Sequence, residues 1–157
     1  MVCTSPELSR NEMRGAETGH PGIGASIVRE LARRGASLAF TYNSSPSRAQ
    51  AMLSDLKKSG IRAIAIQADS ANATVSAKNV VEQVVASFGR IDIIVNNAGS
   101  GDDHSLADVT EEEFDRIFHV NLLFPILLVQ QAVPHLQQKA RIVNVGSVTG
   151  RMGKYKK

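Results

Sequence analysis

The sequence has a single cysteine, no tryptophan and only 4% aromatic residues. One cysteine, Cys3, cannot form an internal disulfide, which is typical of a protein of the reducing cytoplasm, and we expect it to be an inert thiol. No apolar run approaches the roughly 20 residues that span a bilayer. The longest candidate, residues 120–129, contains Asn121 and Pro125. Residues 1–15 contain no apolar stretch, so we expect neither a secretory signal nor a membrane partner.

The chain also has little net charge once its last residues are set aside. Its formal net charge of +3 comes from 18 Lys and Arg against 15 Asp and Glu. Four of these cations lie in residues 151–157, which leaves 14 basic and 15 acidic residues in the rest of the chain. Basicity confined to one end, with few aromatic side chains for base stacking, predicts that nucleic acid is not a partner.

A regular alternation of strand and helix patterns runs through the chain. Four short apolar runs predict buried strands, at residues 36–42, 61–67, 91–96 and 140–147. Apolar residues at helical spacing predict helices over residues 22–35, 44–60, 74–89 and 108–135. The last helix has a Thr110–Glu113 capping box and an expected bend near Pro125. This alternation predicts the α/β class, with a doubly wound parallel sheet covered on both faces.

Small or polar residues stand at the ends of the predicted strands and at the start of the first helix. The glycines of TGHPGIG, residues 18–24, let backbone N–H groups approach a phosphate, or alternatively form a turn that only caps the helix. Asp69 is placed to accept from an adenine amino group, or to cap the next turn. The sequence NNAG, residues 96–99, leaves room for a flat ring, and its Asn side chains are placed to tie neighbouring strand ends together. Ser147 ends the fourth strand, and Asn121 lies in a helix, where its amide competes for backbone hydrogen bonds. Together these groups predict one ligand crevice at the carboxyl ends of the strands.

In order and spacing, these motifs resemble the short-chain dehydrogenase/reductase family over residues 18–153. The resemblance implies a partial Rossmann-type domain that binds NAD(P) and transfers hydride between the nicotinamide and the carbonyl or alcohol group of a small molecule. No metal site is implied. The stretch TYNSSPSRA, residues 41–49, is similar to ketoacyl- and polyketide-type reductases.

The resemblance also implies a role for individual residues. A pyrophosphate loop is implied for Gly19, Gly22, Ile23 and Gly24. Asp69, with Ser70 beside it, is implied to contact the adenine. The ribose and nicotinamide wall is implied for Asn97, Ala98 and Gly99. Two members of the catalytic tetrad are implied: Asn121 holds a proton-relay water, and the Ser147 hydroxyl orients the substrate carbonyl and stabilises charge on its oxygen.

The residues after the first predicted strand, at residues 36–42, favour NADP(H) over NAD(H). Tyr42 occupies the position where NAD-dependent members of the family place a ribose-binding Asp. The residues that follow it offer hydrogen-bond donors to a 2′-phosphate, namely Asn43, Ser44, Ser45 and Arg48. For Arg48 the alternative is a solvated charge on the surface of a helix.

The sequence departs from the family near its start. The apolar strand expected directly before TG is missing, and RNEMRGAE stands there at residues 10–17. A charged segment at the centre of a sheet is costly, so we expect two pairs of strands with no partner between them and a disordered segment 1–17. The glycine loop is one residue short, and Pro21 removes an N–H donor, which weakens the expected pyrophosphate binding.

The sequence departs from the family again after Ser147. The family's catalytic Tyr stands about 13 residues after the Ser, with a Lys four further on, which places both beyond residue 157. Tyr155 is eight residues after Ser147 and does not match that position. We expect residues 154–157 to be a basic tail outside the family pattern, read through from an intron, and the chain to be truncated, with little or no activity. Family homotetramers use the long helix and its successor, so we do not expect a tetramer. Two alternatives stay open: a non-catalytic dinucleotide-binding or interaction protein, and an erroneous or pseudogene product without a stable fold.

Overall fold

A computed structural model describes residues 2–4, 22–101 and 105–147. Their strands form one sheet in the order β3-β2-β1-β4-β5. The strands are β1 Val2–Thr4, β2 Ser37–Tyr42, β3 Ala63–Gln67, β4 Ile91–Asn96 and β5 Leu136–Asn144. β2 pairs with β3 and β4 with β5, both in parallel. The predicted α/β class with a parallel sheet is confirmed.

Helices cover both faces of this sheet. The α-helices are α1 Ile23–Arg33, α2 Pro46–Lys58, α3 Ala73–Phe88, α4 Glu111–Phe118 and α5 Phe124–Ala132. Three short 3₁₀ turns occupy Ser70–Asn72, Leu106–Asp108 and Val133–His135. The first core packs α1 and α2 against Leu38 and Phe40 of β2, while the second packs α3 and α5 against Ala39. Neighbouring residues of one strand point to opposite faces, which explains why β2 reads as a continuous apolar run.

The short strand β1 corrects an expectation about the centre of the sheet. Val2–Thr4 lies between β2 and β4 and runs antiparallel to both, with Val2 opposite Ala39 and Ile94. The expectation of two strand pairs with nothing between them is therefore wrong. Val and Thr favour extended structure, and three residues are too few to show a period in the sequence. Residues 5–21, including the charged segment 10–17, Gly19 and Pro21, lie outside the described residues.

The predicted long helix contains an irregular turn. Between α4 and α5, His119–Leu123 forms a π-helical turn, in which the N–H of Phe124 bonds to the carbonyl of His119. Pro125 then lies in the first turn of α5. The irregularity thus precedes Pro125. The predicted capping box is confirmed, because the Glu113 N–H donates to Thr110 Oγ1 and the Thr110 N–H donates to the Glu113 carboxylate.

The helical run Glu111–His135 has 25 residues, and by length and composition alone it is apolar enough to cross a membrane. This helical run is longer than the apolar stretch at residues 120–129 because the residues on either side of that stretch include uncharged His and Gln side chains. Only 11% of its most apolar 18 residues are buried. Core helices pass the same test, and Leu128 and Ala132 of this run are buried in the core that α3 shares.

Candidate functional site

Two adjoining clefts lie where β2, β3 and β4 end. Their volumes are about 260 and 770 Å³. Both are lined by Tyr42 at the end of β2 and by Ala98 just after β4, with Val120 and Phe124 of the long helix opposite. A crevice at the carboxyl ends of parallel strands is the usual ligand position in this class of fold.

The crevice brings together nine of the predicted site residues. The smaller cleft is lined by Gly24, Ser45, Arg48, Asn97 and Ala98. The larger cleft is lined by Asn43, Asp69, Ser70, Ala98 and Gly99. The other described candidates line neither cleft, namely Gly22, Ile23, Ser44, Asn121 and Ser147. Gly19 lies outside the described residues.

The start of α1 packs closely on the end of β4. A Cβ atom on Gly24 would lie 2.6 Å from Asn97 Nδ2, so a larger residue at position 24 would have to displace the Asn97 side chain. Gly22 is the N-cap of α1, and among the described residues no side chain caps this helix. Uncapped N–H groups at a helix N-terminus, together with the helix dipole, favour an anion.

Asp69 caps the 3₁₀ turn that follows β3. Its Oδ1 accepts from the Ala71 N–H at 3.0 Å, and its Oδ2 accepts from Asn72 Nδ2 at 3.2 Å. Of the two alternatives read from the sequence, capping is therefore present. Each carboxylate oxygen can accept a second hydrogen bond. The half-buried Asp69 thus keeps acceptor capacity toward the larger cleft, which it lines.

Asn121 lies in the π-helical turn and binds the backbone of a loop residue. Its Oδ1 accepts from the Ser100 N–H at 3.0 Å, and its Nδ2 donates to the Ser100 carbonyl at 2.7 Å. A Cβ atom on Gly99 would lie 3.3 Å from the same Oδ1. Both polar atoms of this side chain are therefore engaged in holding the loop after β4.

The ends of β4 and β5 are tied together by side chains, as the sequence predicts. Asn96 Nδ2 donates to Asn144 Oδ1 at 2.8 Å, and the Val145 N–H donates to the Asn96 carbonyl at 2.9 Å. Ser147 lies three residues beyond β5 and is exposed. These hydrogen bonds between β4 and β5 fix the point at which the chain leaves β5, and Ser147 follows a few residues later.

The segment after β2 lacks a carboxylate. Asn43 and Ser44 are exposed, and Arg48 is an exposed residue near the start of α2. Gln67 at the end of β3 donates to the Asn43 carbonyl at 3.2 Å, which links this segment to the next strand. The segment thus presents hydrogen-bond donors to the crevice and carries no carboxylate of its own.

Four polar residues of the long helix also line the larger cleft, and none of them is a candidate from the sequence. They are Glu112, Asp115, Arg116 and His119. Their spacing of three, four and seven residues places them on one face of a helix. That pattern is visible in the sequence, but which partner this face meets depends on how the helix packs.

The shifted pKa values lie outside both clefts. The guanidinium groups of Arg33 and Arg34 hydrogen-bond to Glu30 and lower its pKa to about 2. Asp92 raises the pKa of Arg90 through a side-chain hydrogen bond. Neither Glu30 nor Arg90 lines the crevice, so both shifts report surface ion pairs.

Comparison with known proteins identifies relatives for most of the chain. The sequence profile of the short chain dehydrogenase family matches residues 18–157, four residues past the predicted boundary at 153. A short-chain dehydrogenase/reductase, FrzI, from Cladobotryum is 47% identical over 86% of this chain and 52% of its own length. Elsinochrome reductase 1 of Elsinoe fawcettii is 43% identical over 83% of this chain and 48% of its own.

A solved structure has the same fold. The short chain dehydrogenase of Burkholderia cenocepacia in complex with NADP has a TM-score of 0.80 and 44% identity, over 85% of this chain and 54% of its own. The chain thus spans about half the length of the proteins that it matches.

Proposed function

Because the chain belongs to the short-chain dehydrogenase family, we propose that it acts in hydride transfer between NADP(H) and the carbonyl or alcohol group of a small molecule. The observation that carries this proposal is the crevice itself. It gathers Gly24, Asp69 and Arg48, three residues far apart in the sequence, where β2, β3 and β4 end. Each offers a group that suits a different part of a dinucleotide.

The proposed binding mode runs along the crevice. The larger cleft takes the adenosine end, where Asp69 accepts from the adenine amino group beside Ser70. The backbone at Ala98 and Gly99 forms the wall of that cleft. The pyrophosphate lies at the N-terminus of α1, where Gly22, Ile23 and Gly24, with Gly19 before them, bring backbone N–H groups close to it. Asn97 completes the wall toward the ribose and nicotinamide.

The preference for NADP(H) rests on the segment after β2. Tyr42 stands where a carboxylate would bind the free ribose hydroxyls of NAD(H). Asn43, Ser44 and Arg48 offer neutral and cationic donors to a 2′-phosphate, for which a guanidinium is well suited. The solved relative from Burkholderia cenocepacia binds NADP.

The reaction needs a hydride and a proton. When bound, NADP(H) supplies or accepts the hydride. The Ser147 hydroxyl donates to the substrate carbonyl oxygen and stabilises the charge that develops on it. In the family, a Tyr and a Lys that stand after the Ser exchange the proton with the substrate oxygen.

Asn121 contributes through its backbone. Its side chain is engaged with Ser100 at both polar atoms. Asn121 lies in the π-helical turn His119–Leu123, which interrupts the regular hydrogen bonds between residues four apart, and Pro125, two residues beyond that turn, has no N–H. We propose that the backbone carbonyl of Asn121 in this irregular turn holds the relay water.

The substrate class is the broadest part of the proposal. The stretch at residues 41–49, which is similar to ketoacyl- and polyketide-type reductases, favours a ketone or phenol of the polyketide type. We place this activity in the cytoplasm, with neither nucleic acid nor a membrane as a partner.

NADPH fluorescence titration of the purified chain tests the proposal. We expect saturable binding, about tenfold tighter than for NADH, which corresponds to about 1.4 kcal/mol. Turnover is then assayed with small ketones and aromatic polyketides. Saturable binding of NADPH supports the dinucleotide site, and turnover of a ketone supports the hydride transfer. A chain that is folded by circular dichroism but binds neither dinucleotide overturns the proposal.

A further inference from the structure

Ser100 is a loop residue held at all of its hydrogen-bonding groups by one helical run. Asn121 binds its backbone N–H at 3.0 Å and its carbonyl at 2.7 Å. In addition, Arg116 Nη1 donates to Ser100 Oγ. Arg116 lies in α4, the helix that leads into the π-helical turn with Asn121. Two side chains from successive turns of this helical run, Arg116 and Asn121, therefore hold Ser100 in place.

The loop held in this way forms part of a cleft wall. Ala98, Gly99 and Ser100 line the larger cleft, and Arg116 lines it as well. Gly99 lies so close to Asn121 that a Cβ atom there would be only 3.3 Å from Oδ1. A small displacement of Ser100 would therefore move the backbone at Gly99 and change the width of the cleft.

Arg116 is suited to this work because its donor is charged. A hydrogen bond from a guanidinium to a hydroxyl is stronger than one between neutral groups. Ser100 is half-buried, and the bond that Arg116 makes to its hydroxyl lies at the exposed edge of the cleft. The Asn121 bonds fix the backbone of the loop, and the Arg116 bond fixes the same residue through its side chain.

We propose that Arg116 is a positioning residue that acts through Ser100 to hold the Ala98–Gly99 wall against the bound dinucleotide. The inference rests on the proposed function, because it assumes that the cleft binds the cofactor. Arg116 itself need not touch the ligand. The pair then affects NADPH and NADH equally, since both share the adenosine and pyrophosphate groups that meet this wall.

Ser100→Ala, Arg116→Ala and the double variant test the proposal by titration with NADPH and with NADH. We expect each single variant to lower the affinity for both dinucleotides by about three- to tenfold. The double variant should lose no more affinity than the more affected of the two single variants. Ser100→Ala changes no charge, which separates positioning from the loss of a cation near an anionic ligand.

Ser59→Ala is the matched serine control. Ser59 is the exposed C-cap of α2, and its hydroxyl also makes a hydrogen bond, to the Asp55 carbonyl at 3.1 Å. It lines neither cleft, so this variant should bind both dinucleotides as the original chain does.

The thermal midpoint is the second readout. We expect Ser100→Ala to lower Tm by no more than about 2 °C, because the Asn121 bonds to the backbone remain. A fall in Tm with unchanged affinities would mean a structural role only and would overturn the proposal. Additive losses, or a loss in Arg116→Ala that Ser100→Ala does not share, would overturn it as well. If Arg116→Ala does not fold, Ser100→Ala decides alone.

Different outcomes would contradict the proposed function and the positioning role of Arg116. If the original chain binds neither dinucleotide, the proposed function is wrong. If the original chain binds and both variants bind equally well, only the role of Arg116 is wrong.

Discussion

Gly24 and Asn97 lie so close together that a Cβ atom on Gly24 would be 2.6 Å from Asn97 Nδ2. The first residue follows the N-cap of α1 by two positions, and the second directly follows β4. The contact thus joins the helix N-terminus proposed for pyrophosphate to the wall proposed for the ribose. It gives a physical reason for glycine at this position that does not depend on resemblance.

Gly24→Ala should weaken NADPH binding by about tenfold, because the new methyl group displaces the Asn97 side chain from the cleft wall. The short Asn97 side chain can rotate away, so we expect only a small change in Tm. Gly101→Ala is the matched control, since a Cβ atom there meets nothing within 4 Å. Fluorescence titration measures both affinities, and equal affinities would contradict the prediction.

Arg48→Ala should distinguish the two dinucleotides. We expect about a tenfold loss of NADPH affinity and no change for NADH, because only NADPH carries the 2′-phosphate that the guanidinium would bind. Lys58→Ala, at the far end of α2, removes a cation of the same helix and serves as the control. If both ligands weaken equally, Arg48 acts only as a general surface charge.

Asn121→Ala should destabilise the folded chain. The substitution leaves the Ser100 N–H and carbonyl without these partners in a half-buried place, which costs about 1–3 kcal/mol. Urea denaturation measures the change in the free energy of unfolding. Asn79→Ala is the control, because its side chain bonds to Gln83 on the exposed surface of α3. A value for Asn121→Ala that matches this control would show that the two bonds to Ser100 contribute little.

Glu30 provides a prediction for pH. Its pKa is lowered from 4.5 to about 2 by the guanidinium groups of Arg33 and Arg34. A carboxylate with a lowered pKa in the folded state stabilises the fold above its ordinary pKa, and this contribution is lost as pH falls toward 2. We expect Glu30→Gln to have a lower Tm than the original chain at neutral pH. The gap should shrink between pH 4.5 and about 2 and should be smaller at high salt. A gap that does not change with pH would rule out this ion pair as its cause.

Local patterns predicted the elements well. The spacing of Val80, Val81 and Val84 marked the buried face of α3, and the Thr110–Glu113 capping box marked the start of α4. Both depend on residues within one or two turns of each other, so the sequence shows them directly. The crevice was predictable as well, because the ends of parallel strands meet at one edge of the sheet.

Several features could not be predicted in this way. Asp69 carries one carboxylate that suits either a cap or a ligand, and its distance to the Ala71 N–H decided that capping occurs. Asn121 and Ser100 are 21 residues apart, and no local pattern pairs them. The polar face that includes Arg116 is visible in the sequence, but not the cleft that it lines.

The sequence by itself determined the alternation of strands and helices, the family to which the chain belongs and the residue types available at each strand end. These follow from periodicity, turn chemistry and spacing, which act over short stretches of chain. Only the tertiary structure decided that Val2–Thr4 enters the centre of the sheet antiparallel to its neighbours. It also decided that Arg116 and Asn121 of the long helical run hydrogen-bond to Ser100. Strand order and side-chain contacts across the fold depend on which surfaces pack together, and local sequence does not specify that packing.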